Sequence, residues 1–157
     1  MFRIDTVLKI TADHGWLICK VVFAGYLGVL TVMDIRYKRL NLLFLLSGFL
    51  LVIAGCFFGR DLHPLLRITG SGVGLAFLLA SRVTGESFGY GDSLLILIMG
   101  GFLGFWDILS VLMAAFLLAA VFSGIMLVRK RFSRKTAFPF VPFLMIAYTG
   151  GMILGIY

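Results

Sequence analysis

Apolar residues run along this chain in blocks longer than a strand or a half-buried surface helix needs, and short polar stretches separate them. The first block runs from Trp16 to Met33, 18 residues without an acidic side chain. A hydrocarbon core takes about 20 apolar residues in helical form. Charge, glycine and proline then mark off further spans over about 42–58, 64–83, 92–106, 108–128 and 138–157. The pattern predicts an all-α, polytopic membrane protein, a bundle of six transmembrane helices forming one membrane domain over residues 1–157. The fourth span is short, about 22 Å at helical rise. Residues 1–14 mix charges with Phe2, Ile4, Val7, Leu8 and Ile10 and suit the membrane interface rather than its core. The long first block has neither the short apolar core nor the small-residue cleavage site of a signal peptide.

Composition agrees with lipid as the main solvent. The chain is 61% hydrophobic and 13% charged, with a mean hydropathy of +1.09, where soluble domains carry about 25% charged residues. The net charge of +7 sits in short basic runs between apolar blocks, so it reads as topology and headgroup contact rather than a nucleic-acid surface. Six spans place the stretches 34–41, 82–91 and 129–137 on one side, with nine basic residues: Arg36, Lys38, Arg39, Arg82, Arg129, Lys130, Arg131, Arg134 and Lys135. The other side holds four, Arg3, Lys9, Arg60 and Arg67, while Lys20 falls inside the first span. The richer side is therefore expected in the cytoplasm of a cell (inner or plasma) membrane, with both termini outside. Cys19 and Cys56 are far apart, and His14 and His63 are isolated. No metal site and no cofactor are expected from them. Gly70 with Gly74, and Gly100 with Gly104, have the spacing that lets helix backbones approach closely in lipid.

Among the seven acidic residues, three carry information. Asp34 closes the first span, where the helix dipole favours a cation, and the basic residues after it offset that cost. Asp92 follows Gly89-Tyr90-Gly91, and Asp107 follows Trp106. Each of these two is explained without any chemistry as an N-cap, its carboxylate accepting N–H groups at a helix start. Position adds a second reading for Asp92. Asp34 and Asp92 are separated by two spans yet emerge at the same cytoplasmic edge, while Asp107 belongs to the opposite side. Aspartic proteolysis needs two carboxylates close enough to share a proton, one as base toward water and one as acid toward the scissile carbonyl.

At these residues the chain resembles the prepilin peptidases, type IV leader peptidases that are membrane aspartic peptidases with a GxGD motif. The resemblance rests on Gly89-Tyr90-Gly91-Asp92, on Asp34 before a short basic loop, and on Phe138-Pro139-Phe140-Val141-Pro142-Phe143 opening the last span. It covers about residues 16–150 and implies Asp34 and Asp92 as the catalytic pair, with Gly89, Gly91, Asn41, Pro139 and Pro142 as motif or substrate-positioning residues. Three departures stand out. Leu40-Asn41-Leu42 replaces the usual Pro-Asn, Leu94 stands where a Lys is usual, and the cysteine-bearing cytoplasmic domain that accompanies methylation in larger members has no counterpart.

The resemblance implies a short, peptidase-only form without methyltransferase activity. It would cleave the leaders of type IV prepilin or secretion pseudopilin substrates at the cytoplasmic membrane face. Prepilin leader peptides and membrane lipid are then the expected partners, with no nucleic acid and no cofactor, since water is the nucleophile. Two alternatives remain open on the residues alone. One is a presenilin-like intramembrane GxGD peptidase, and the other a non-enzymatic transporter or secretion-assembly subunit whose acids serve topology or ion binding.

Overall fold

In a computed structural model, residues 2–37, 42–58, 63–83, 89–128 and 139–156 are described, with side chains from His14 onward and, in the second stretch, from Leu43 onward. The described residues form six α-helices and no strand: α1 (Phe2–Tyr37), α2 (Leu42–Phe58), α3 (Pro64–Val83), α4 (Tyr90–Leu103), α5 (Phe105–Val128) and α6 (Val141–Ile153). Three contain stretches long and apolar enough to cross a membrane, His14–Tyr37, Pro64–Val83 and Phe105–Val128. The apolar α2, α4 and α6 are shorter. Helices are the natural outcome here, because in lipid every backbone N–H and C=O must be satisfied within the segment.

The α4 helix is the centre of the molecule. It packs most extensively against α3 and also meets α2 and α5, while α6 lies between α1 and α5. Nine of its 14 residues are buried, including Leu95, Ile96, Ile98, Met99 and Phe102. Phe23 of α1 stacks on Phe102 with ring centroids 4.4 Å apart and planes 4° from parallel. Outward-facing side chains such as Leu43, Leu50, Leu79, Val121 and Leu127 are apolar and exposed, as a lipid-facing surface requires.

The glycine spacing marks the α3–α4 contact. A Cβ added at Gly70 would overlap the Gly100 carbonyl oxygen, one at Gly100 would overlap the Gly70 carbonyl oxygen, and one at Gly74 would overlap the backbone of Leu97. Hydrogen in place of a side chain is what allows these two backbones to touch.

Several boundaries differ from the sequence expectation. The polar N-terminal stretch is helical and continuous with the first span, so α1 begins at Phe2 rather than near Trp16. No proline interrupts it, and polar helix formers extend a helix once it is nucleated. The α4 helix begins at Tyr90 instead of Asp92 and ends at Leu103 instead of Trp106. It stops there because Gly104 adopts φ 90°, a left-handed region that favours glycine. The α5 helix then starts at Phe105, which puts Asp107 at its third position rather than at an N-cap. The α6 helix starts at Val141 and ends at Ile153. Its end is a Schellman turn: Gly155 at φ 67° directs its N–H to Met152 O (3.3 Å), and Ile156 N–H reaches Gly151 O (3.0 Å).

Candidate active site

Asp34 sits in the last turn of α1, and its side chain is buried, 9% exposed. A buried carboxylate needs donors, because losing water without replacement costs several kcal/mol, on the order of 2–7 for an unpaired polar group. The donor comes from the far end of the chain. The backbone N–H of Val141, the first residue of α6, donates to Asp34 Oδ2 at 3.4 Å. The start of α6 therefore brings its positive dipole end to a carboxylate that the end of its own helix disfavours.

The sequence around Val141 explains why that amide is available. The N–H groups of Phe143 and Leu144 turn back to Phe140 O at 3.1 and 3.3 Å. Pro142 has no N–H to offer. Aromatic contacts fasten this turn to α5, with Phe140 against Phe116 at 5.3 Å and Phe143 against Phe122 at 5.7 Å between centroids.

Asp92 is the third residue of α4 and half-buried. The N-cap is Gly89 and no side chain makes a capping hydrogen bond, so Asp92, at the third helical position, is not the N-cap that its sequence context predicts. Gly89 O accepts Ser93 N–H at 3.2 Å and Ser93 Oγ–H at 3.4 Å, which fixes the first turn. A Cβ at Gly89 would stand 3.1 Å from Asp92 Oδ2, so glycine leaves the room that this carboxylate occupies. Gly89 has φ −57° and Gly91 lies inside the helix, so neither supplies a left-handed turn. Asp34, in the last turn of α1, lies near enough to Asp92 for the charge of one to act on the other.

Of the residues singled out in the sequence, the structure brings together Asp34, Asp92 and Gly89, with Pro142 in the first turn of α6 beside Val141. Gly91 lies between Tyr90 and Asp92 in the first turn of α4, and Pro139 precedes α6. Asn41 and the basic residues Lys38 and Arg39 lie outside the described residues, as do the stretch 129–138 and Phe138 within it. Asp107 lies in the first turn of α5, next to the Gly104 break and at the end of α4 away from Asp92. Sequence reading missed the Val141 amide. Its signal was Pro142, which leaves the preceding amide as the donor that points away from the new helix.

Among the described residues the chain is helical, with long apolar segments and a carboxylate at the end of α1 and at the start of α4. The chain belongs to the type IV leader peptidase family, whose profile matches residues 21–124. That match contains Asp34, Asn41, Gly89, Gly91 and Asp92, while Pro139 and Pro142 lie beyond it. No curated protein and no solved structure matches the chain.

Proposed function

We propose that this protein is a membrane aspartic endopeptidase that removes the leader peptides of type IV prepilin-like substrates at the cytoplasmic membrane face, with Asp34 and Asp92 as its catalytic pair. What supports this is the placement of two carboxylates, 58 positions apart, in the last turn of α1 and the first turn of α4, near enough for the charge of one to act on the other. Membership of a peptidase family favours this reading over a transporter or an assembly subunit.

In the proposed reaction one ionised carboxylate takes a proton from a water molecule, and the water oxygen attacks the scissile carbonyl carbon. The other, protonated carboxyl gives its proton to the carbonyl oxygen. Collapse of the tetrahedral intermediate breaks the C–N bond, the amine leaves with a proton, and the pair returns to its starting state. The substrate class is a short basic leader, a glycine before the cut and an apolar helix after it. That helix rests in the bilayer while the bond is presented at the helix ends. The enzyme has six membrane spans, both termini outside and no methyltransferase activity in this reading.

Co-expression with a prepilin tests the proposal. Loss of the leader appears as a mobility shift with the wild-type chain and is absent with Asp34→Asn or Asp92→Asn. Processing by either correctly inserted variant contradicts the assignment.

A further inference from the structure

We infer that Val141 is a positioning residue of the catalytic pair, acting through its backbone N–H on Asp34; this rests on the reading of Asp34 as one half of that pair. The hydrogen bond to Oδ2 joins residues 107 positions apart and is buried. It holds one carboxylate oxygen, Oδ2, in place. A carboxylate on the last turn of one helix would otherwise swing about its χ angles, and a reaction that depends on near-attack geometry loses rate when a reacting group is misplaced.

The α1–α6 contact around this bond fixes its register. Thr31, one turn before Asp34, directs its hydroxyl to Met145 Sδ at 3.5 Å, one turn beyond Val141. Farther along, Tyr148 donates to Lys20 O at 3.2 Å. A Cβ at Gly28 would only just touch Met145 Cε, at 3.5 Å, so the helices are close here without overlap. The three ties run antiparallel, Asp34 to Val141, Thr31 to Met145 and Lys20 to Tyr148, and the contacts of Phe140 and Phe143 with α5 hold the other side of the same turn. Sliding α6 by one residue would carry the Val141 amide about 1.5 Å along its axis and break the bond to Asp34. The turn from Phe140 to Phe143 thus acts through the Asp34 carboxylate.

A backbone ester tests this without changing any side chain. Incorporating the α-hydroxy analogue of valine at position 141 of the full chain replaces N–H by O, and the same exchange at Ile146 removes an ordinary mid-helix amide of α6. Cleavage of a prepilin is measured in lipid nanodiscs. The ester at 141 is expected to lower kcat about tenfold or more with KM within about twofold, the pattern of a group that acts in the transition state. The ester at 146 is expected to leave kcat within about twofold of the wild type. Wild-type kcat with the ester at 141, an equal loss from the ester at 146, or a loss seen in KM alone overturns the inference. If the wild-type chain cleaves no leader, or Asp34→Asn still cleaves, the functional reading falls and this inference falls with it. A dead Asp34→Asn beside a fully active ester at 141 removes this inference alone.

Discussion

Gly89 and Asp92 are three positions apart, and a Cβ on the first would stand 3.1 Å from Oδ2 of the second. Gly89 has φ −57° and ψ 127°, a backbone conformation open to any residue, so the requirement for glycine is spatial rather than conformational. The glycine before the helix makes room for the carboxylate of its first turn.

Gly89→Ala is therefore expected to insert normally and to displace the Asp92 carboxylate by a few tenths of an ångström. Prepilin cleavage should fall several-fold, about threefold to tenfold, since misplacing a catalytic group by about 1 Å can cost about a hundredfold. Gly89→Val should cost more. Initial rates on matched amounts of inserted protein check this, and wild-type rates for both variants would show that the spacing has no catalytic consequence.

Gly74 and Gly72 lie on the same helix but meet different surroundings. A Cβ at Gly74 would overlap the backbone of Leu97, whereas nothing lies within 4 Å of a Cβ at Gly72. Gly74→Ala should destabilise the bundle by about 1–3 kcal/mol, the usual cost of overpacking. Gly72→Ala should be neutral or stabilising by up to about 1 kcal/mol through helix propensity. Thermal unfolding in detergent separates the two, and equal midpoints would contradict the α3–α4 packing described.

Arg67, in the first turn of α3, donates to Gly55 O at 3.1 Å and to Cys56 Sγ at 2.9 Å near the end of α2. A cation at a helix C-terminus meets unsatisfied carbonyls and the negative end of the dipole. Arg67→Ala should cost about 1 kcal/mol of stability and leave the Asp34–Asp92 geometry alone, since it acts at the opposite end of α2 and α3. A melting shift with retained cleavage rate is the expected outcome. Lost cleavage at full stability would tie this end to the reaction.

The charge asymmetry predicts orientation. Reporter fusions at Tyr157 should report the outside and fusions within 129–137 the cytoplasm, as the count of nine basic residues against four requires. A cytoplasmic reading at Tyr157 would remove the cytoplasmic placement of the catalytic pair.

Much of this architecture was legible as pattern. The long apolar runs delimited α2 and α3 to the residue and α5 to within three, because lipid-facing helices need apolar side chains on every face. The paired glycines signalled close helix packing, though not that α3 and α4 would be the partners, and Gly104 ends α4 instead of lying within it. The ends of helices were less legible. Whether α4 stopped at Leu103 or Trp106 depended on the φ of Gly104, and whether Asp92 or Gly89 capped α4 depended on how the chain enters the helix, neither of which hydropathy encodes. That Asp34 and Asp92 belong together was arguable from spans and sidedness, and it stands as part of the proposal above. The hydrogen bond from Val141 was not: Pro142 marks the start of α6, and so an amide without a helical acceptor, but nothing in the pattern says that Asp34 takes its proton.

The most direct measurement is leader removal from a co-expressed prepilin by five chains: wild type, Asp34→Asn, Asp92→Asn, the double variant and, as the control from the first turn of α5, Asp107→Asn. A pair that shares one proton works as a unit, so each single change should abolish cleavage nearly as completely as both together. Asp107→Asn should retain most of the wild-type rate. Full loss in both single variants with an active Asp107→Asn is the predicted result, and cleavage by inserted Asp34→Asn or Asp92→Asn, or a dead Asp107→Asn, would contradict it.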